Sequence, residues 1–306
     1  MLIGDCASDP PLSMTQRGLA AARADDVIYG LGAVALARGH EQMAVAVADE
    51  VARAALARAI AAIGADVAIL DVADAWPATA AGAKDEVFPA SALVAVADEA
   101  RARPAISWVT VAGAVGEPCL LGGVPSETMA ELVARAGGPL DDDWVAVAGG
   151  APAGRLVEHD ATLAAAGLPA TLLVLPARHP WVRRLRTTVA DWLWRAASAC
   201  EGCRVCSDAC PVTLTPHALV ATLTSGRDDG TAPAAFAACT GCGVCDAACP
   251  ASLSPRALAV DVRDRFALLA PRLDPPGAPA TRRPGIDRAL LTLRLGLGAY
   301  DRSVSR

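Results

Sequence analysis

The chain has 306 residues, a formal net charge of −6 at pH 7 and a sequence pI near 5.3, which argues against nucleic acid as a partner. Hydrophobic residues make up 54% of it, but the longest charge-free stretch is broken by Gly167 and Pro169, so no transmembrane span is predicted. Because residues 1–10 lack a basic region and a long apolar core, no export signal is predicted and a cytoplasmic location is expected.

The first hundred residues alternate between helical and strand patterns. Apolar spacing predicts helices over residues 24–38 and 49–63 and strands over residues 42–48 and 66–72. This alternation predicts an α/β domain over residues 1–104.

A different pattern begins near residue 105. It predicts a strand over 107–115, a turn over 122–125, a helix capped by Ser126 and a strand over 144–148. A strand, turn, helix and strand in this order favour a small β-grasp-like insert with a return segment, over residues 105–177.

Residues 178–270 are predicted to form a mostly helical domain. Helical patterns cover residues 182–199, 216–224, 234–238 and 254–269. Residues 271–306 form a proline-rich linker and a leucine-rich amphipathic tail, which is expected to pack on its own protein rather than on a membrane.

Two copies of one cysteine pattern lie in the helical domain, and each is closed by a proline. Their spacing is that of the bacterial ferredoxin run, in which three close thiolates hold one 4Fe-4S cube and the fourth ligates the other cluster. The pattern predicts two clusters. Cluster 1 is assigned to Cys200, Cys203, Cys206 and Cys249, and cluster 2 to Cys239, Cys242, Cys245 and Cys210.

Other uses of these cysteines fit the sequence less well. Paired C-x2-C motifs also build structural zinc sites, but a doubled run of four cysteines closed by proline is more specific for clusters. Disulfides would require an oxidising compartment. Cys6 and Cys119 lie outside the runs and are interpreted as small buried apolar residues.

A basic segment precedes the first cysteine run. Such a run of charges is most often a solvated surface, and its functional interpretation is a docking patch for an acidic electron donor or acceptor. The residues concerned are Arg178, Arg183, Arg184 and Arg186.

Residues 172–180, the helix leading to Cys200 and both cysteine runs together resemble a known family. It comprises the cobalamin reductase of propanediol-utilising microcompartments and its relative, the C subunit of the Rnf electron-transport complex. Residues 149–154 are similar to the family's glycine-rich strand end, and residues 108–138 to its soluble-ligand-binding β-grasp domain. The resemblance implies that the α/β domain over residues 1–104 is the remnant of a flavin- and NADH-binding type of domain. It also implies redox protein partners and peripheral association with a membrane or a microcompartment.

The sequence also departs from that family. Full-length members begin with a glycine-rich flavin loop of the G-x-G-G-A-G-F-P kind, which this sequence does not contain, so a truncated member is expected. Gly30 and Gly32 lie in a helical pattern and are interpreted as an incidental pair, and no Rossmann fingerprint is present. FMN and NADH binding are therefore doubtful here.

The leading hypothesis is an iron-sulfur electron-transfer subunit. It would relay single electrons through two 4Fe-4S clusters from a reductase partner to an acceptor, such as a corrinoid or another redox enzyme. No catalytic side chain is identified, so the chain is interpreted as an oxidoreductase component acting as an electron carrier. Two alternatives are a flavin-dependent NAD(P)H reductase with an atypical flavin site, and a scaffold with structural clusters.

Overall fold

The computed structural model describes residues 1–78, 85–226, 236–269 and 285–302. Its first part alternates strands and helices, as the sequence predicts. The elements are β1 (Leu2–Asp5), α1 (Thr15–Ala22), α2 (Ala24–Arg38), β2 (Met43–Val47), α3 (Glu50–Ile63), β3 (Val67–Asp71), β4 (Ala75–Trp76), β5 (Glu86–Pro89) and α4 (Ala90–Ala100).

Four of these strands form a parallel sheet in the order β3-β2-β1-β5. Leu2, Val45, Leu56 and Leu93 belong to one buried core between this sheet and its helices. The helix predicted over residues 24–38 is confirmed as α2, and the other three predicted elements are confirmed to within one residue at each end. The sequence pattern missed the helices α1 and α4 and the strands β1 and β5. The two strands were missed because each is only four residues long and carries no alternation of its own.

Gly30 permits close packing of α2 against α4. A β-carbon at this position would overlap the backbone carbonyl of Leu93, whereas one at Gly32 would meet no atom within 4 Å. The interpretation of the two glycines as an incidental pair is therefore wrong for Gly30 and holds for Gly32.

We expect Gly30→Ala to destabilise the chain by about 2 kcal/mol, because the backbones of the two helices would have to separate. Gly32→Ala is the matched control and should be neutral or stabilising by up to about 1 kcal/mol, the helix preference of alanine over glycine. Urea unfolding followed by circular dichroism measures both. Equal effects of the two variants would contradict the packing role of Gly30.

A second sheet follows, in the order β7-β6-β10-β8-β9. Its central strand β10 is parallel to β6 and antiparallel to β8. Successive β10 residues face opposite sides, so Leu172 packs with α5 and Leu173 with the C-terminal segment. The elements are β6 (Ser107–Gly113), β7 (Cys119–Gly123), α5 (Met129–Arg135), β8 (Trp144–Ala148), β9 (Arg155–Val157) and β10 (Thr171–Pro176).

Two local predictions in this sheet are wrong. Gly122 and Gly123 lie in β7, paired with β6, and the turn comes after them. The helix cap is Thr128 rather than Ser126, because the Thr128 hydroxyl accepts from the Glu131 N–H while the Glu131 carboxylate accepts from the Thr128 N–H.

The third part is helical, as predicted, with α6 (Pro180–Arg186), α7 (Val189–Ala199), α8 (Val205–Asp208), α9 (Pro216–Ser225), α10 (Val244–Ala248) and α11 (Pro255–Leu269). The single helix predicted over residues 182–199 is wrong, because Thr187 is extended and Thr188 caps a new helix by accepting from the Asp191 N–H. Trp192, Val220 and Leu258 join α7, α9 and α11 in one core. The predicted proline-rich linker, residues 271–284, lies outside the described residues. So do two residues of the helix predicted over 234–238.

The tail returns to the body of the protein. It contains β11 (Ile286–Asp287), α12 (Arg288–Arg294) and a 3-10 turn (Gly298–Tyr300). β11 pairs with β4, and Leu291, Leu295 and Leu297 are buried against the second sheet and α6. Its apolar face therefore packs within the protein, as expected. Among the described residues, no helix has the length and apolar character needed to cross a membrane.

Candidate iron-sulfur site

The eight cysteines of the two runs surround two cavities. The first cavity has a volume of about 210 Å³ and is lined by Cys200, Cys203, Cys206 and Cys249. The second cavity is lined by Cys210, Cys239, Cys242 and Cys245. Each cavity thus takes three thiols from one run and one from the other.

The backbone places the third cysteine of each run in the same way. The residue two positions before this cysteine is Arg204 in the first run and Gly243 in the second. Both have a left-handed backbone conformation, with φ of 66° and 79°. A short helix starts directly after each of them, α8 and α10, so Cys206 and Cys245 project from a first helical turn. This local turn explains the short spacing between ligands.

The two cavities differ in exposure. Cys200 and Cys203 are exposed, whereas none of the four cysteines at the second cavity is. Burial raises the pKa of Cys206, Cys239 and Cys242, and raises that of Cys245 well above its usual value. Four thiols around each cavity match the four thiolate ligands of a 4Fe-4S cluster, and bound iron would lower their pKa values.

Residues from other parts of the chain hold the second cysteine run. The Trp76 indole donates to the Cys242 carbonyl at 3.0 Å, and Arg263 donates to the Cys239 carbonyl at 2.9 Å. Arg256 joins the run to the second sheet, since its Nε donates to the Gly241 carbonyl at 2.8 Å and its Nη2 donates to the Ala153 carbonyl. The second run is therefore anchored to other parts of the protein.

A buried carboxylate connects the segments around the two cavities. Asp246 accepts from the Ser254 hydroxyl at 2.5 Å and from the Arg256 N–H at 2.8 Å, and it lies 3.7 Å from the Arg184 guanidinium. Burial raises the pKa of Asp246, and these three groups act in the opposite direction. The network thus holds α10 against the start of α11 and against α6.

Arg184 bridges α6 to the segment after the second run. Its Nη atoms donate to the carbonyls of Ser252 at 2.6 Å and Leu253 at 2.8 Å. The same guanidinium lies between the Trp181 and Trp192 rings, 5.5 and 5.2 Å from their centroids. Arg184 therefore has an internal structural role.

The other arginines of the predicted docking patch are exposed. Arg178 forms an ion pair with Asp141 at 2.8 Å, and Arg186 donates to the Ala177 carbonyl at 3.4 Å. Arg183 makes no ion pair within the part of the chain that the structure describes. The four arginines thus do not form one surface, because Arg184 points inward.

Several of these contacts could not be read from the sequence. Trp76 and Arg256 reach the site only through tertiary contacts, and the bonding of Asp246, which lies within the second run, also depends on the fold. The only signal was proximity in sequence: Asp246 follows Cys245, and Arg256 follows the second run by seven residues. Cys6 is buried as predicted, and Cys119 is half-buried in β7.

No three His, Cys, Asp or Glu side chains of the described residues converge closely enough to hold a single metal ion. The thiols instead stand around cavities, which is how the ligands of a cube-shaped cluster must be arranged.

Comparison with known proteins identifies the helical part of the chain. Residues 197–254 match a family model described as a 4Fe-4S dicluster domain. This part of the chain therefore contains a 4Fe-4S dicluster domain.

The resemblance to cobalamin reductase is confirmed over part of the chain. A segment of 114 residues is 35% identical to cobalamin reductase PduS of Salmonella typhimurium and covers 36% of this chain and 24% of that protein. A segment of 111 residues is also 35% identical to cobalamin reductase PduS of Citrobacter freundii, with the same coverage. The chain thus matches about a quarter of the length of these relatives.

Among solved structures, the chain is similar to a chain of an NAD+-reducing [NiFe]-hydrogenase in its air-oxidized and H2-reduced states. The TM-score is 0.48 and the identity 19% in both cases. The first match covers 100% of this chain and 60% of that chain, and the second covers 90% and 57%.

We expect Arg184→Ala to lower the free energy of unfolding by about 2 kcal/mol or more, because two carbonyls lose their donor and the buried Asp246 loses its nearby guanidinium. The neighbouring exposed residue offers a matched control, and Arg183→Ala should change stability by no more than about 0.5 kcal/mol. Urea unfolding followed by tryptophan fluorescence measures both. Similar stability of the two variants would show that Arg184 does not hold these segments together.

Proposed function

We propose that this chain relays single electrons through two 4Fe-4S clusters between a reductase partner and a redox acceptor. Cluster 1 is assigned to Cys200, Cys203, Cys206 and Cys249, and cluster 2 to Cys239, Cys242, Cys245 and Cys210. The observation that carries the proposal is the lining of each cavity by three thiols of one run and one of the other.

When bound, such clusters accept and release one electron at a time. The chain's own contribution is to hold the thiols and to set their surroundings. The backbone N–H of Gly241 donates to Cys239 Sγ at 3.4 Å, and the carbonyls of Cys239 and Cys242 are fixed by Arg263 and Trp76. These contacts keep the second run rigid, so little rearrangement accompanies a change of charge.

The two sites are proposed to have different roles. Cys200 and Cys203 are exposed, so cluster 1 would exchange electrons with an external protein. The Trp76 indole on β4 donates to the second run, and Arg256 links that run to the Ala153 carbonyl in the loop between β8 and β9, so cluster 2 would face the interior. Electrons would thus pass between the surface and the body of the protein.

The other parts of the chain support the same proposal. The central parallel pair β6 and β10 in the second sheet supports a β-grasp-like unit over residues 105–177. The relatives are named cobalamin reductase, which supports a corrinoid as acceptor, alongside another redox enzyme. A cytoplasmic location and association with a membrane or microcompartment stay predictions.

The crossed assignment can be tested with two double variants of the reconstituted protein. Cys200→Ala with Cys249→Ala removes two ligands from one site, so one unaltered cluster should remain. Cys200→Ala with Cys210→Ala removes one ligand from each site, so no unaltered cluster should remain. Iron content and the electron paramagnetic resonance spectrum of the reduced protein measure this. The reverse pattern would mean that each run ligates its own cluster.

The relay can be distinguished from the flavin-dependent reductase under anaerobic conditions. NADH, with or without added FMN, should leave the cluster absorbance of the reconstituted chain unchanged, and dithionite should bleach it fully. Bleaching by NADH would instead show that the chain is a reductase in its own right. Clusters that dithionite cannot reduce would favour a structural role and a scaffold.

A further inference from the structure

A basic groove lies beside the first cavity. It has a volume of about 470 Å³ and runs between α6, α7 and the end of α12. Cys249, which also lines the first cavity, contributes to its wall. Its charged lining consists of Arg183, Arg184, Arg195, Arg294 and Asp246.

Three of these charges face solvent without an acidic partner. Arg184 and Asp246 interact with each other and with nearby carbonyl, hydroxyl and N–H groups, as described above. Arg183, Arg195 and Arg294 are exposed, and none forms an ion pair with another described residue. Arg195 is held over the Trp192 ring at 5.2 Å. The groove thus presents three positive charges.

We propose that this groove is the docking site for an acidic surface on the protein redox partner. The inference rests on the proposed relay. The chain as a whole carries a charge of −6 and would repel an acidic protein, whereas the groove would attract it and orient it next to Cys249. Charge complementarity therefore selects the face of the protein at which cluster 1 would lie.

The arrangement fits a protein surface better than a small anion. A site for a small anion uses buried donors that converge on one point, and the half-buried guanidinium of Arg184 already has internal partners. The three exposed guanidinium groups come from three different helices, α6, α7 and α12. They would match several carboxylates spread over a surface.

The test uses electron transfer into the reconstituted full chain, measured by stopped flow at low ionic strength. The probe reductants are a reduced, acidic plant-type ferredoxin and the methyl viologen radical cation. The triple variant Arg183→Gln, Arg195→Gln, Arg294→Gln should be reduced by ferredoxin about tenfold more slowly, with a weaker dependence on salt. Its reduction by methyl viologen should not slow down.

A charge-matched control separates docking from overall charge. Arg38, Arg53 and Arg58 lie on α2 and α3, and changing all three to Gln alters the net charge equally. This control should change the ferredoxin rate less than about twofold, because none of these three arginines lines the groove. Equal slowing by both triple variants, or equal slowing with both reductants, would overturn the docking site.

Two further outcomes separate a failure of the relay from a failure of the docking site. If neither reductant reduces the unmodified reconstituted chain, the relay itself fails, whatever the groove does. If inorganic pyrophosphate at constant ionic strength binds at micromolar concentration and the groove variant abolishes this, the groove is a small-anion site and the docking proposal is overturned.

Discussion

Each thiol-lined cavity takes its fourth cysteine from the other run, and this constraint shapes the whole helical part of the chain. Neither cavity can form unless the two runs are held side by side, although 28 residues separate Cys210 from Cys239. Local turns can position three cysteines of a run but not the fourth. The fourth depends on the packing of α7, α9 and α11 and on the bridge from Arg184 to the segment after Cys249.

The rest of the fold is attached to this arrangement at the second cavity. A hydrogen bond from Trp76 on β4 and the link that Arg256 makes to the loop between β8 and β9 join the second run to the body of the protein, and the tail pairs with β4. A unit with these connections cannot move freely relative to the body. The first cavity has a different environment, because exposed cysteines and an arginine-lined groove border it. The second run is thus tied to the body and the first is accessible, which fits the proposed electron relay.

The sequence predicts features that depend on neighbouring residues and misses those that depend on tertiary contacts. Helical periodicity over residues 24–38 and the spacing of the cysteines are properties of neighbouring residues, and both agree with the structure. Arg184 was grouped with its basic neighbours because charge alone is visible in a sequence. Only the fold shows that it lies between two tryptophan rings, and that Arg294, more than a hundred residues away, lines the same groove as Arg183.

The difference between the two cavities can also be recognised in the cysteine runs once the fold is known. The left-handed position before α10 is Gly243, and a β-carbon there would lie within 2.8 Å of the Pro152 carbonyl oxygen. The equivalent position before α8 is Arg204, whose long side chain is exposed. Likewise, a β-carbon at Gly241 would contact Val260 at 3.5 Å, whereas one at Gly202 would meet no atom within 4 Å. Since a side chain is excluded only where another part of the protein covers the run, this asymmetry agrees with the proposal that cluster 2 faces the body and cluster 1 faces the partner.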